Sequence, residues 1–249
     1  LAADDYAEGP YRETARTAAQ FVIQDLEYER VSDGARIKYK PDDAGDTYTI
    51  NANALGARLF LDLYAAFGDE EFRERATHIL DWVVSHQSPL GGWAYRADPD
   101  ASHLSMDTFH NGFILESLLR YEGTCESDRY DDSIADAIAF FRDRFDDDGA
   151  PHWDETSIYP RDVHASAQGI IVFSLLGEPR TARRIVRWTV SNLSDGRGRF
   201  YHEQRRFYTK RITLMRWCQA WMAYAFATHL RQTSDVASAP FGRVGGGEQ

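Results

Sequence analysis

The sequence predicts an all-α protein, an α/α toroid, complete or partial, with short β-hairpin-like connections. Three observations carry that prediction. Apolar residues recur with the helical period almost throughout the 249 residues. Glycine-bearing turns interrupt them near residues 34, 92, 149 and 196, which lie 58, 57 and 47 residues apart. After each turn comes a short aromatic or β-branched stretch and then another helix. These stretches are Arg36-Ile37-Lys38-Tyr39, Trp93-Ala94-Tyr95-Arg96, His152-Trp153-Asp154 and Arg199-Phe200-Tyr201-His202.

In chain order the predicted helices span 10–29, 48–66, 70–87, 105–120, 127–145, 163–176, 180–194 and 213–231. The odd ones carry charged faces: Glu13, Arg16 and Asp25, then Arg73 and Glu74, then Asp132 and Asp136, then Arg183, Arg184 and Arg187. The even ones are richer in small residues: Asn51 to Gly56, His110-Asn111-Gly112, Ala165 to Gly169, and Cys218-Gln219-Ala220. Charged faces suit an outer ring of helices and small residues a crowded inner one. Trp82 to Ser88 is echoed by Trp188 to Ser194, and Gly92 and Tyr95 by Gly198 and Tyr201, all at an offset of 106. Residues 1–233 therefore read as one hairpin-repeat domain. Residues 234–249, with Gly245-Gly246-Gly247, read as a disordered tail.

Composition narrows the function. Asp+Glu is 39 against Lys+Arg 28, a net charge of −11, with 25 Asp, 25 Arg and only three Lys. Short carboxylates hold hydration water, whereas lysine stems expose methylenes that strong salt drives together. The balance reads as adaptation to a high-salt cytoplasm such as that of halophilic archaea. An acidic surface argues against nucleic acid as a partner. No apolar run approaches the roughly 20 residues a membrane-spanning helix needs. No charged-then-apolar leader follows Leu1. Cys125 and Cys218 lack metal or redox spacing, so no metal site is indicated. Oligomeric state is not legible.

The stretches before the even helices concentrate chemistry. Trp93, Tyr95, Asp107, His110 and Asn111 precede or open the fourth helix. Trp153, Tyr159, Arg161, Asp162, His164 and Gln168 do so for the sixth. Tyr201, Arg205, Arg206, Tyr208, Arg216, Trp217 and Gln219 do so for the eighth. Aromatic rings beside carboxylates and amides suit a sugar, and clustered guanidinium groups suit an anionic one. Asp107 and Asp162 sit where helices begin, so each is also a candidate N-cap. His164 and Gln168 share a helix face at i, i+4. Asn111, Gln168 and Gln219 occupy equivalent points of three even helices. Arg216 lies in an apolar segment and either pairs with a carboxylate such as Asp162 or awaits an anionic substrate. His78, His86 and His229 read as structural, and Asp146-Asp147-Asp148 as a solvated turn.

Two stretches, Tyr159-Pro160-Arg161-Asp162-Val163-His164 and Arg216-Trp217-Cys218-Gln219-Ala220-Trp221, carry a resemblance. Residues 88–230 resemble the α/α-toroid carbohydrate-active proteins. They are most similar to haloarchaeal and bacterial saccharide-pathway proteins, including N-glycosylation proteins, related to the C-terminal domain of D-glucuronyl C5-epimerase. That family's separate N-terminal β domain has no counterpart in the sequence. The resemblance implies a saccharide or glycan substrate containing uronic acid, and an epimerase, a hydrolase or a lyase. For C5 epimerisation, Tyr159 and Tyr208, or His164, are the candidate protic pair. Arg161, Arg205 and Arg216 would hold the carboxylate, and no cofactor is needed. For glycoside hydrolysis, Asp107, Asp162 and Glu155 are the candidate carboxylates. A toroid that only binds saccharide is the third reading.

Overall fold

The computed structural model describes residues 10–41 and 48–235. Of the expected tail 234–249, Ser234 and Asp235 instead end the last helix, and residues 236–249 lie outside the described residues. The chain forms two compact units. Of the described residues, the first holds those up to Phe145 with His152–Ile158, and the second Asp146–Pro151 with those from Tyr159 onward.

In the first unit, helix α1 (Pro10–Gln24) leads into a hairpin of β1 (Glu29–Val31) and β2 (Gly34–Arg36). The expected helix to residue 29 stops early because Glu27 takes a left-handed φ of 52°, which helices do not tolerate. Helices α2 (Ile50–Phe67), α3 (Glu70–Ser85), α4 (Thr108–Cys125) and α5 (Asp131–Arg142) follow. Helices α2 and α4 carry the core: Ala54, Ala57, Phe60 and Leu61 on one, Ile114, Leu115 and Leu118 on the other. Small residues let the chain approach closely, and a Cβ on Gly56 would lie 2.5 Å from Ile37 Cδ1. Helix α3 buries only Phe72, Ala76, Ile79, Leu80, Trp82 and Val83, a single stripe. Glu116, fully buried on α4, is held by the guanidinium groups of Arg58 and Arg120 at 2.9 Å each.

In the second unit, β3 (Arg161–Asp162), β4 (Glu203–Gln204) and β5 (Thr209–Lys210) form an antiparallel sheet in the order β3-β4-β5. Helix α6 (Val163–Leu175) is buried along almost its whole surface. Helices α7 (Pro179–Leu193) and α8 (Trp221–Asp235) pack against it. The last predicted helix does not start as an α-helix. Met215–Ala220 is a six-residue π-helix that runs into α8, a wide turn often found at functional sites. Tyr159-Pro160 is a cis peptide bond.

Two turn glycines, one in each unit, have the same job. Gly91 (φ 90°) lies so close to α5 that a Cβ would meet Asp136 O at 2.4 Å. Gly149 (φ 93°) lies so close to α7 that a Cβ would meet Arg184 C and Ile185 N at 2.6 Å. Each turn is thereby pinned to the helix that begins the next hairpin. The matching glycine of the last turn is Gly198 (φ 93°), not Gly196, and its offset from Gly91 is 107. The expected echo at 106 therefore slips by one residue within the turn.

Candidate functional site

Side-chain amides tie these turns to the even-numbered helices. Asn53 Oδ1 accepts from Ile37 N at 2.7 Å, while its Nδ2 donates to Ile37 O and Thr49 O. Asn111 repeats the arrangement: Oδ1 accepts from Trp93 N at 2.7 Å and Nδ2 donates to Trp93 O and Asp107 O. Gln219 Oε1 accepts from Phe200 N at 2.7 Å, and Nε2 donates to Gly198 O. Asn111 and Gln219, expected to face a sugar, thus face backbone, and their hydrogen-bonding capacity is used there. Trp93 is likewise structural: it is buried, with Nε1 donating to Val83 O at 2.7 Å.

Gln168 differs. It is fully buried, and neither Oε1 nor Nε2 has a hydrogen-bond partner. Its place in the helix differs too. Asn53 and Asn111 stand four residues after the caps Thr49 and Asp107, whereas Gln168 stands six after Asp162. The residue four after Asp162 is Ser166, whose Oγ donates to Asp162 O at 3.4 Å as the Asn53 and Asn111 amides donate to their cap carbonyls.

In the first unit, Asp107 has two roles at once. Oδ1 caps α4 by accepting from His110 N at 3.0 Å, and Oδ2 lies 2.6 Å from His110 Nδ1. A carboxylate only accepts, so Nδ1 carries a proton towards Asp107 and Nε2 is the ring nitrogen turned away from it. Asp107 is buried, whereas the His110 side chain is 13% exposed and reachable. Tyr95 lies against His110, ring centroids 4.6 Å apart, and Phe109 flanks the same imidazole at 3.9 Å. Burial raises the Tyr95 hydroxyl above the ordinary tyrosine pKa; Tyr39 and Asp107 add to this, and Arg96 and a hydrogen bond with Thr49 oppose it. Tyr95 also lines a surface cleft of about 520 Å³ with Arg96, Ser102, His103 and Leu104. Trp153 stands 6.4 Å from Phe109, ring to ring, and its carbonyl accepts from Thr108 N. Glu155 accepts from Ser105 Oγ and Met106 N and so fastens the loop before α4.

In the second unit, Asp162 caps α6 through Oδ1, accepting from His164 N at 2.6 Å. His164 is buried with its ring 5.0 Å from those of both Trp217 and Trp221. Trp217 is 37% exposed, and the Arg216 guanidinium lies 4.9 Å over its ring. Arg216 is itself exposed, which removes the alternative of a buried pair with Asp162: the π-helix turns it outward. Arg161 pairs with Asp146 at 2.6 Å and lies over Tyr159 and Trp188, fixing the turn to the sheet. Tyr159 and Tyr208 are exposed, as is Arg206, which covers Phe207. Tyr201 lies under Arg211.

Two residues gained importance only in three dimensions. The β3–β4 register sets Asp162 opposite Glu203, and His202 Nε2 comes within 3.5 Å of Asp162 Oδ2. Arg205 Nε and Nη2 both donate to Glu203 Oε1, at 2.9 and 2.7 Å, and Lys210 Nζ lies 3.6 Å from that oxygen. Burial holds His202 below the ordinary histidine pKa; Glu203 opposes this, and Lys210 and Arg205 reinforce it. The three structural histidines keep that reading: Tyr28 meets His78, Trp82 O meets His86, and Ser174 meets His229.

No protein-family model matches the chain, and no curated protein matches it. Solved structures do. A GH76 α-mannanase from Bacteroides thetaiotaomicron is similar at a TM-score of 0.71 and 16% identity, over 91% of this chain and 66% of that one. A cellobiose 2-epimerase from Bacillus thermoamylovorans gives 0.73 and 13%, over 90% and 66%. An unsaturated glucuronyl hydrolase from Bacillus sp. GL1 gives 0.64 and 14%, over 92% and 68%. The chain spans about two thirds of the length of these structures. At such identities the likeness carries the fold alone, and that fold is an α/α toroid.

Proposed function

We propose that the chain is a saccharide-modifying enzyme that moves the C5 proton of a uronic acid within a glycan, as a C5-epimerase-like isomerase. The observation that carries this reading is the Asp107–His110 pair set against Tyr95. Epimerisation next to a carboxylate needs a base, a second protic group and a cation for the charge that develops on the carboxylate. Here His110 Nε2 takes the proton from C5. The C–H electron pair moves into the carboxylate as an enediolate, and Tyr95 O–H returns a proton to C5. Both groups then re-equilibrate with water. Arg96, in the wall of the cleft beside Tyr95, is the nearby cation. This assigns the protic pair to His110 and Tyr95 in place of Tyr159 and Tyr208, which stand exposed.

The similar folds of a sugar epimerase and a glucuronyl hydrolase support a saccharide substrate. Hydrolysis is the weaker alternative. In the first unit, Asp107 is occupied by the cap and the imidazole and Glu155 by the loop, so neither has its charge directed at a scissile bond. The Asp-rich, Lys-poor composition supports the cytoplasm of a halophilic archaeon as the setting.

The test is incubation of the protein with uronate oligosaccharides in deuterated water at molar KCl. Deuterium at C5 without new reducing ends is the expected product. New reducing ends without deuterium would make it a hydrolase, an unsaturated product a lyase, and binding without turnover a saccharide-binding toroid; each overturns the proposal.

A further inference from the structure

We propose that Asp162, His202 and Glu203 form a binding site for a divalent transition-metal cation of the zinc or manganese kind. One ligand atom from each of the three lies within 4.8 Å of the others. The sheet makes this arrangement. Asp162 and Glu203 are direct cross-strand partners in an antiparallel pair, so their side chains leave on the same face. Both are buried, at 5% and 4% exposure, and the cations beside them, Arg205 and Lys210, both lie on Glu203 Oε1.

The distances favour shared coordination over a direct bond. His202 Nε2 and Asp162 Oδ2 are 3.5 Å apart, beyond the usual 2.7–3.2 Å of an N–H···O bond. Two ligands of one tetrahedral zinc, each about 2.1 Å from the metal, stand about 3.4 Å from each other. Asp162 Oδ1 is already the cap acceptor of α6, which fixes the carboxylate and leaves Oδ2 directed at His202.

An imidazole with two carboxylates suits zinc or manganese better than magnesium or calcium, which take oxygen alone. Three protein ligands leave a coordination position for water or a ligand. Arg205 and Lys210 are the competing cations, and both act on Glu203 Oε1. Arg205 is the firmly bonded one. Lys210, at 3.6 Å and with a 38% exposed side chain, is the one a metal ion can displace. The proposal uses neither His110 nor Tyr95, so it stands or falls apart from the proton-transfer reading.

The experiment is calorimetric titration of the chelator-stripped full chain with ZnCl₂ and with MnCl₂, alongside metal content after dialysis. One ion per chain is expected, with no competition from excess Mg²⁺. His202→Gln should weaken binding by at least about 10- to 100-fold, the loss caused by removing even a group that supports a metal ligand. Lys210→Ala should tighten it severalfold. Circular dichroism and melting of each variant separate loss of the site from loss of the fold, and His202, with a 23% exposed side chain, is the safer position to change. No retained metal in the folded wild type would overturn the proposal. So would zinc binding unchanged in His202→Gln, which would assign the ion to the acidic surface at large.

Discussion

Asp107 and Asp162 begin the two most deeply buried helices of the molecule in the same way and then diverge. Each caps its helix with Oδ1 and turns Oδ2 towards a histidine. Asp107 meets His110 three residues on, within the same helix, at 2.6 Å. That short contact holds the Nδ1 proton and leaves Nε2 to act. Asp162 meets His202 from a strand, at 3.5 Å, with a second carboxylate from Glu203 alongside. The same cap thus yields an oriented base where the partner is local, and a cluster of metal-ligand type where the sheet brings in the partner. The amides divide along the same line: Asn111 is fully used by backbone, while Gln168, two positions further from its cap, has no hydrogen-bond partner.

The sharpest way to break the first comparison is Asn at each aspartate, because Asn is as good a cap as Asp. Asp107→Asn should keep the fold, disturb the His110 tautomer, and lower C5 exchange by about 10²- to 10⁴-fold. Asp162→Asn should keep the fold and lose the cation. Equal effects of both variants on exchange and on zinc titration would erase the distinction.

The amides offer the next largest effect, now on stability. Asn111→Ala leaves the buried Trp93 N–H and C=O unpaired and should destabilise by about 2–4 kcal/mol. Gln168→Leu removes two polar atoms that bond to nothing, and should be neutral or slightly stabilising. Urea unfolding of both variants measures the difference. A similar loss at Gln168 would show that its amide is held after all.

The smallest effect is a pH dependence common to both units. Burial holds His78 and His229 below the ordinary histidine pKa. The unfolded chain therefore takes up these protons first as pH falls. The stability concerned is fully present above the unfolded value of about 6.5 and is lost as pH drops through the lower folded values. Melting midpoints should decline from pH 7.5 towards pH 5.5, and His78→Gln with His229→Gln should flatten the decline. An unchanged slope in that double variant would assign it to other groups.

The sequence made the helices legible because their signals are local. All eight lie within a few residues of their expected spans, except where Glu27 ends α1 early and the π-helix opens the last one. The candidate site was legible in residue type but not in role. Asn111 stands four residues after the cap of its helix and Gln168 six after the cap of its own, so two amides that looked equivalent meet different surroundings once the helix starts are fixed. Glu203 and His202 were visible only as polar neighbours, because their link to Asp162 depends on strand pairing across some forty residues. Tyr95 read as a sugar-stacking ring, and its contact with His110 joins a turn to a helix.

The central claim is that His110, oriented by Asp107, and Tyr95 transfer the C5 proton. It is tested most directly by the rate of C5 deuterium incorporation into a uronate oligosaccharide in deuterated water, followed by NMR for wild type, His110→Gln and Tyr95→Phe. The account predicts exchange in the wild type, none above background in His110→Gln, and in Tyr95→Phe exchange at C5 with inversion selectively lost. Exchange undiminished in His110→Gln, with the fold intact, would contradict it.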